Sequence, residues 1–220
     1  AGFGTTTGIG VKKYDGYFRF YDGILLGNTE AKPEVATETD SINFITKTYY
    51  DDINEFEFCV LENTQDTENK REMSATMKNV YYRTINAAIN RSTTSSNIIM
   101  LKSLVQNINV PEDKEVTIDL NNHILSGTIT NNGIMTLING EVTITGTLNT
   151  TAVTNNGTMY IGRNDNNIID DYVTILGNAT GLQNNGKVYM YDGYIRGTTP
   201  VGGKDLNTLY KYQVVQKVID

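Results

Sequence analysis

Asn-Asn-Gly occurs three times in the second half of this 220-residue chain, at 131–133, 155–157 and 184–186. The steps are 24 and 29 residues. Each copy is followed by a short strand-like run: Ile134-Met135-Thr136-Leu137-Ile138, Thr158-Met159-Tyr160-Ile161 and Lys187-Val188-Tyr189-Met190-Tyr191. Turn chemistry recurring at such a period is what a stacked repeat architecture needs. The expected corner is Asn131-Asn132-Gly133, Asn155-Asn156-Gly157 and Asn184-Asn185-Gly186, with asparagine tolerating the left-handed region, glycine tolerating positive φ, and side-chain amides stacked between layers.

A longer repeat joins the two ends. Phe18 to Thr29 aligns without a gap to Val188 to Thr199, sharing Tyr-Asp-Gly, at an offset of 170 residues. Glu55–Val60 and Lys211–Gln216 give a looser match, both alternating as strands do. The chain thus reads as the end of one unit followed by a whole second one. The expected organisation is 1–62 as the strand-rich end of a preceding repeat, 63–78 as a polar connector, 79–199 as a helix-capped body, and 200–220 as a terminal strand segment.

One helix is predicted over Asn79–Arg91, where Ile85, Ala88 and Ile89 fall at i, i+3, i+4 and a Ser/Thr run closes the segment. Short strands are predicted at 98–101, 107–110 and 115–120, with Pro111-Glu112-Asp113-Lys114 as a turn. Two all-β folds then compete. Asn139-Gly140 between two alternating runs is the signature of a tight hairpin, and a chain of hairpins makes an antiparallel sandwich or barrel. The 24- and 29-residue steps suit a parallel β-helix better.

Tyr82-Arg83-Thr84-Ile85-Asn86-Ala87-Ala88-Ile89, Ile98-Ile99-Met100-Leu101, Val116–His123 and Gly127–Gly133 together resemble the start of a right-handed parallel β-helix of the pectate-lyase-like superfamily. The similarity is greatest to the repeat regions of large bacterial cell-surface proteins, and it extends over 80–200. It implies an all-β solenoid with a short N-terminal capping α-helix and flanking strand segments. It also implies a secreted, extracellular location at the cell surface.

Composition bounds the function. Asparagine (26) and threonine (30) are both far above background, whereas only 20% of residues are charged. A net charge of −7 with no basic cluster argues against nucleic acid. No apolar run approaches the 18 residues of a membrane-spanning helix, so no membrane insertion is expected. The single Cys59 precludes an internal disulfide and reads as a buried, inert thiol among Glu55, Glu57 and Glu62. The start, Ala1-Gly2-Phe3-Gly4-Thr5, does not read as a signal peptide; a processed export signal and an excised segment both begin this way.

Catalytic signals are thin. The superfamily includes polysaccharide lyases and hydrolases, which need converging carboxylates. The nearest candidates, Asp165, Asp170 and Asp171, lie in a polar run that reads first as a loop and second as a surface Ca²⁺ site. His123 is the sole histidine and has no recognisable partner. The expectation is therefore a non-enzymatic structural or adhesive segment without a cofactor, whose partners are further copies of itself, head to tail, or neighbouring repeats. The alternative is a carbohydrate- or receptor-binding module like a phage tail fibre, with Tyr14, Tyr17, Tyr21, Tyr189, Tyr191 and Tyr194 as an aromatic platform for a glycan; a polysaccharide lyase ranks third.

Overall fold

The structure is a computed structural model that describes residues 24–27, 44–63, 72–144, 149–163, 171–206 and 214–216. It is mostly β. Strands β1 (Ile24–Gly27), β2 (Phe44–Asp51), β3 (Phe56–Asn63), β4 (Ala75–Met77) and β5 (Val80–Tyr82) precede the helix α1 (Ile85–Arg91). Then come β6 (Ser96–Met100), β7 (Leu104–Val105), β8 (Ile108–Val110), β9 (Glu115–Ser126), β10 (Ile129–Asn131), β11 (Ile134–Thr143) and β12 (Thr151–Asn155). The last are β13 (Thr158–Ile161), β14 (Val173–Leu176), β15 (Thr180–Asn184), β16 (Lys187–Met190), β17 (Tyr194–Gly197), β18 (Thr199–Gly203) and β19 (Val214–Gln216).

The described residues form two compact units, one built on β1–β3 and β5, the other on β4, α1 and β6–β19. In the first, β3 pairs antiparallel with β1 and β2, and β2 pairs parallel with β5. The β2–β3 turn is held by the Asp51 carboxylate, which accepts from the Ile53 and Asn54 amides and from Asn54 Nδ2. The Asn54 hydrogen bonds keep that carboxyl below the ordinary aspartate range. Tyr49 stacks on Phe58 at 5.7 Å and meets Tyr81 at 5.5 Å. Cys59 is half-buried rather than buried as expected, with its Sγ 3.8 Å from Thr48 Oγ1.

The second unit is dominated by parallel pairing. β8, β10, β12, β15 and β18 form one wholly parallel sheet. The first half of β9 aligns with β6 and with the first half of β11, which aligns in turn with β13 and then β16. The second halves align with β7, β14, β17 and β19. From β6 to β18 the chain visits these three rows in a fixed order. Equivalent residues therefore stand in columns, such as Ile108–Ile129–Val153–Leu182 and Ile98–Ile118–Leu137–Ile161–Met190. All nine are buried, each contributing about 1.5–3 kcal/mol.

The Asn139-Gly140 pair is not a hairpin. It lies inside β11, where the register to β9 shifts between Ile138 and Gly140, and all three strands paired with β11 run parallel to it. Asn139 (φ 58°) and Gly140 (φ 156°) turn the strand from one row to the next. Asn121 (φ 49°) and Asn122 (φ 60°) do the same in β9, and Gly162 and Gly193 follow β13 and β16. Asp119 Oδ1 ties this bend by accepting from the Asn121 amide (2.8 Å) and Asn139 Nδ2 (3.1 Å).

The helix is also shorter than its periodicity predicts. Lys78 (φ 51°) and Asn79 (φ 63°) form a left-handed turn, and Val80-Tyr81-Tyr82, β-branched and aromatic, join a sheet instead. Thr84 then caps α1, its Oγ1 accepting from the Ala87 amide at 3.0 Å. Lys114 Nζ donates to the carbonyls of Asn90 and Ser92 at the other end. The 63–78 stretch expected as a connector contains β4, which pairs antiparallel with β6.

Asn86 covers the edge of β8. Its Oδ1 accepts from the Asn109 amide (3.1 Å) while its Nδ2 donates to the Asn107 carbonyl (2.9 Å). One side-chain amide thus stands in for the peptide of a missing strand and closes an edge that invites aggregation. Asn86→Ala is expected to leave the fold intact, lower stability by about 1–2 kcal/mol, and raise the self-association rate. Denaturant unfolding and light scattering on the variant check both.

Candidate functional site: an asparagine corner and a tyrosine face

The corner between the β10–β12–β15 row and the β11–β13–β16 row is built from the three Asn-Asn-Gly triplets. Parallel pairing aligns Asn131 with Asn155 and Asn155 with Asn184. All three are fully buried. Asn131 Nδ2 donates to Asn155 Oδ1 (2.7 Å), and Asn155 Nδ2 donates to Asn184 Oδ1 (3.0 Å). Asn184 Nδ2 ends the run on the Lys204 and Asp205 carbonyls. The column stops because the next positions are Val110 on one side and Gly203 on the other. Asn131 Oδ1, beside Val110, is buried with no hydrogen-bond partner among the described residues.

The second asparagines form an exposed ladder of opposite polarity. Asn185 Nδ2 donates to Asn156 Oδ1 (2.9 Å), Asn156 Nδ2 to Asn132 Oδ1 (2.8 Å), and Asn132 Nδ2 to Asn109 Oδ1 (3.3 Å). The two rows of amide dipoles therefore oppose one another, which limits the net field at the corner.

None of the six asparagines and none of the three glycines in these triplets has positive φ. The expectation of a left-handed corner is therefore corrected. Glycine is required by close approach: a Cβ on Gly157 or Gly186 would stand 2.0 Å from the carbonyl oxygen of the preceding corner glycine. Those carbonyls accept from the Thr158 and Lys187 amides at 2.9 Å, so the layers cannot part to make room.

Beyond the corner, β13 and β16 carry a tyrosine face. Tyr160 aligns with Tyr189 in the parallel register. The ring centroids are 5.2 Å apart with planes at 15°, and Tyr191 lies 6.4 Å from Tyr160 at 5°. All three are half-buried, as is Tyr194 on the adjacent β17. Thr117 and Thr136 extend the Tyr160–Tyr189 column, and Glu115, Ile134, Thr158 and Lys187 form the next one. Ile134 and Lys187 are exposed.

Burial first, and then Tyr189, Tyr191 and Glu115, push the Tyr160 phenol above the ordinary value of 10.0. Because the folded state favours the neutral phenol, its contribution is complete below pH 10 and is lost as pH rises through the folded value. Spectrophotometric titration of wild type against Tyr160→Phe is expected to assign to Tyr160 a phenol ionising later than free tyrosine.

No family model, curated protein or solved structure matches this chain. The site therefore rests on its own chemistry. Tyr14, Tyr17, Tyr21, Asp165 and Asp170 lie outside the described residues. Asp171 is buried. Among the described residues no group of three His, Cys, Asp or Glu side chains is placed to hold a metal ion, and no helix is long and apolar enough to cross a membrane. His123 is half-buried within β9 opposite Gly140.

Tyr160 is the residue the platform prediction missed. The signal was present: it follows Asn155 by five residues, as Tyr189 follows Asn184. The edge-covering role of Asn86 has no sequence signature, because it depends on where α1 meets β8.

Proposed function

We propose that the chain is a non-enzymatic structural segment, a right-handed parallel β-helix serving as a stiff repeat region of a secreted cell-surface protein. The observation that carries this reading is the columnar parallel register, in which apolar positions stack from layer to layer and three successive layers share the asparagine and glycine corner. Such a stack derives its stability from contacts between neighbouring layers and extends by adding layers. A surface stalk must resist proteases. Residues 115–143, in the most extensively paired strands, are expected to remain uncut by proteinase K under conditions that degrade the unfolded chain. Rapid cleavage inside that stretch, mapped by mass spectrometry, overturns the proposal.

The half-exposed Tyr160, Tyr189 and Tyr191 favour an adhesive role in addition, as a face for a neutral glycan. Parallel aromatic rings beside threonine hydroxyls and Lys187 offer apolar surface with polar groups at its rim. The acidic chain disfavours polyanionic sugars. Glycan-array binding that falls about tenfold or more in Tyr160→Ala and Tyr189→Ala, roughly 1.4 kcal/mol, is the expected result. Binding unchanged by both substitutions removes this face from consideration.

A further inference from the structure

Each unit has an outermost strand with one partner among the described residues. In the first unit β1 pairs with β3, and in the second β19 pairs with β17. Among the described residues no strand pairs with their other edges, whose backbone N–H and C=O groups are the kind that a further strand can meet. Neither strand carries the charges or prolines that normally protect an edge: β1 is Ile-Leu-Leu-Gly and β19 is Val-Val-Gln.

The 170-residue repeat says which strand fits. β1 at 24–27 and β17 at 194–197 coincide at that offset, each directly following Tyr-Asp-Gly and ending in glycine. β17 lies between two parallel neighbours, β14 and β19, with Ile195 opposite Val214 and Gly197 opposite Gln216. β19 therefore already accepts a strand of this type on one edge. β1 is the second strand of this type in the sequence.

We propose that β1 of one copy adds in parallel to the edge of β19 opposite β17 in a second copy, so that chains join head to tail. The two surfaces differ, so the contact is heterologous and propagates into a filament unless the rotation closes a ring. This assembly deepens the stacked-repeat reading above and rests on it, since it supplies between chains the same pairing that builds the stack within one.

Mixing variants tests it. Successive residues of a strand direct their N–H groups to opposite edges, so in Leu25→Pro and Leu26→Pro one substitution strikes the edge opposite β3 and the other the β3 side. Val214→Pro and Val215→Pro form the same pair for β19. From each pair, the variant keeping the wild-type far-UV spectrum and Tm is taken. Leu25→Lys and Val215→Lys repeat the test without altering the backbone.

In sedimentation equilibrium across a concentration series, the full wild-type chain is expected to form species growing beyond dimers. Each blocked variant alone is expected to stay monomeric, and an equimolar mixture of the two to stop at a 1:1 dimer. A wild type monomeric at every concentration, a blocked variant that still polymerises, or a mixture that stays monomeric overturns the assembly. If proteinase K protection of 115–143 persists in those samples, the stack itself stands and only the assembly fails.

Discussion

Replacing Asn155 by aspartate is expected to cost about 3–5 kcal/mol at pH 7, the range for an uncompensated buried charge. One carboxylate oxygen keeps the place of Oδ1 and still accepts from Asn131 Nδ2. The other replaces Nδ2, which now donates to Gly157 O (3.2 Å), Asn184 Oδ1 (3.0 Å) and Lys187 O (3.0 Å). Three acceptors would then face an anion at a fully buried position. The folded state must favour the protonated acid, so its pKa rises above that of the unfolded chain. The penalty is accordingly smallest below about pH 4, the ordinary aspartate range, and grows as pH rises toward the folded value. Guanidinium unfolding at pH 7 and at pH 3.5 checks the sign. Asn156→Asp, in the exposed ladder, is the control and is expected to cost about 1 kcal/mol or less. Equal losses for the two variants, or no recovery in acid, contradict the inner ladder.

Gly157→Ala carries the second large effect. Its Cβ would lie 2.0 Å from the Gly133 oxygen and 2.7 Å from the Asn132 oxygen. Both obstacles are backbone, and the layer spacing is fixed by the Thr158 N–H to Gly133 carbonyl bond at 2.9 Å. A loss of about 3 kcal/mol or more is expected, the upper range for overpacking. Gly202→Ala separates this from a generic glycine effect. There the closest atom is Gln183 Oε1 at 2.5 Å, the far end of a flexible side chain, and less than about 1 kcal/mol is expected. Thermal melts of the pair decide the matter. If Gly157→Ala melts with wild type, the corner does not hold the layers at this spacing.

These two positions show how much of the site was legible. The triplet period marked which asparagines and glycines belong together, because identical neighbours one layer apart must satisfy the same hydrogen-bond geometry. The reason for each residue was not legible. Asparagine and glycine are both compatible with a left-handed turn and with a tight layer contact, and the sequence contains nothing to separate the two uses. Within the long strands it is the bends, at Asn121, Asn122 and Asn139, that use left-handed asparagines.

Composition and period alone indicated that the chain is mostly β, that one corner recurs in its second half, and where several of its short strands lie. Local alternation and turn residues are sufficient for those conclusions, since each depends on a few adjacent side chains. Tertiary pairing decided that Asn139-Gly140 is a bend rather than a hairpin, that 80–82 is strand rather than helix, and that Tyr160 joins Tyr189 and Tyr191. Each outcome depends on a partner some 20–35 residues away in sequence. A hydrogen-bonded register between such partners is fixed only when the whole layer closes, and no short window contains it.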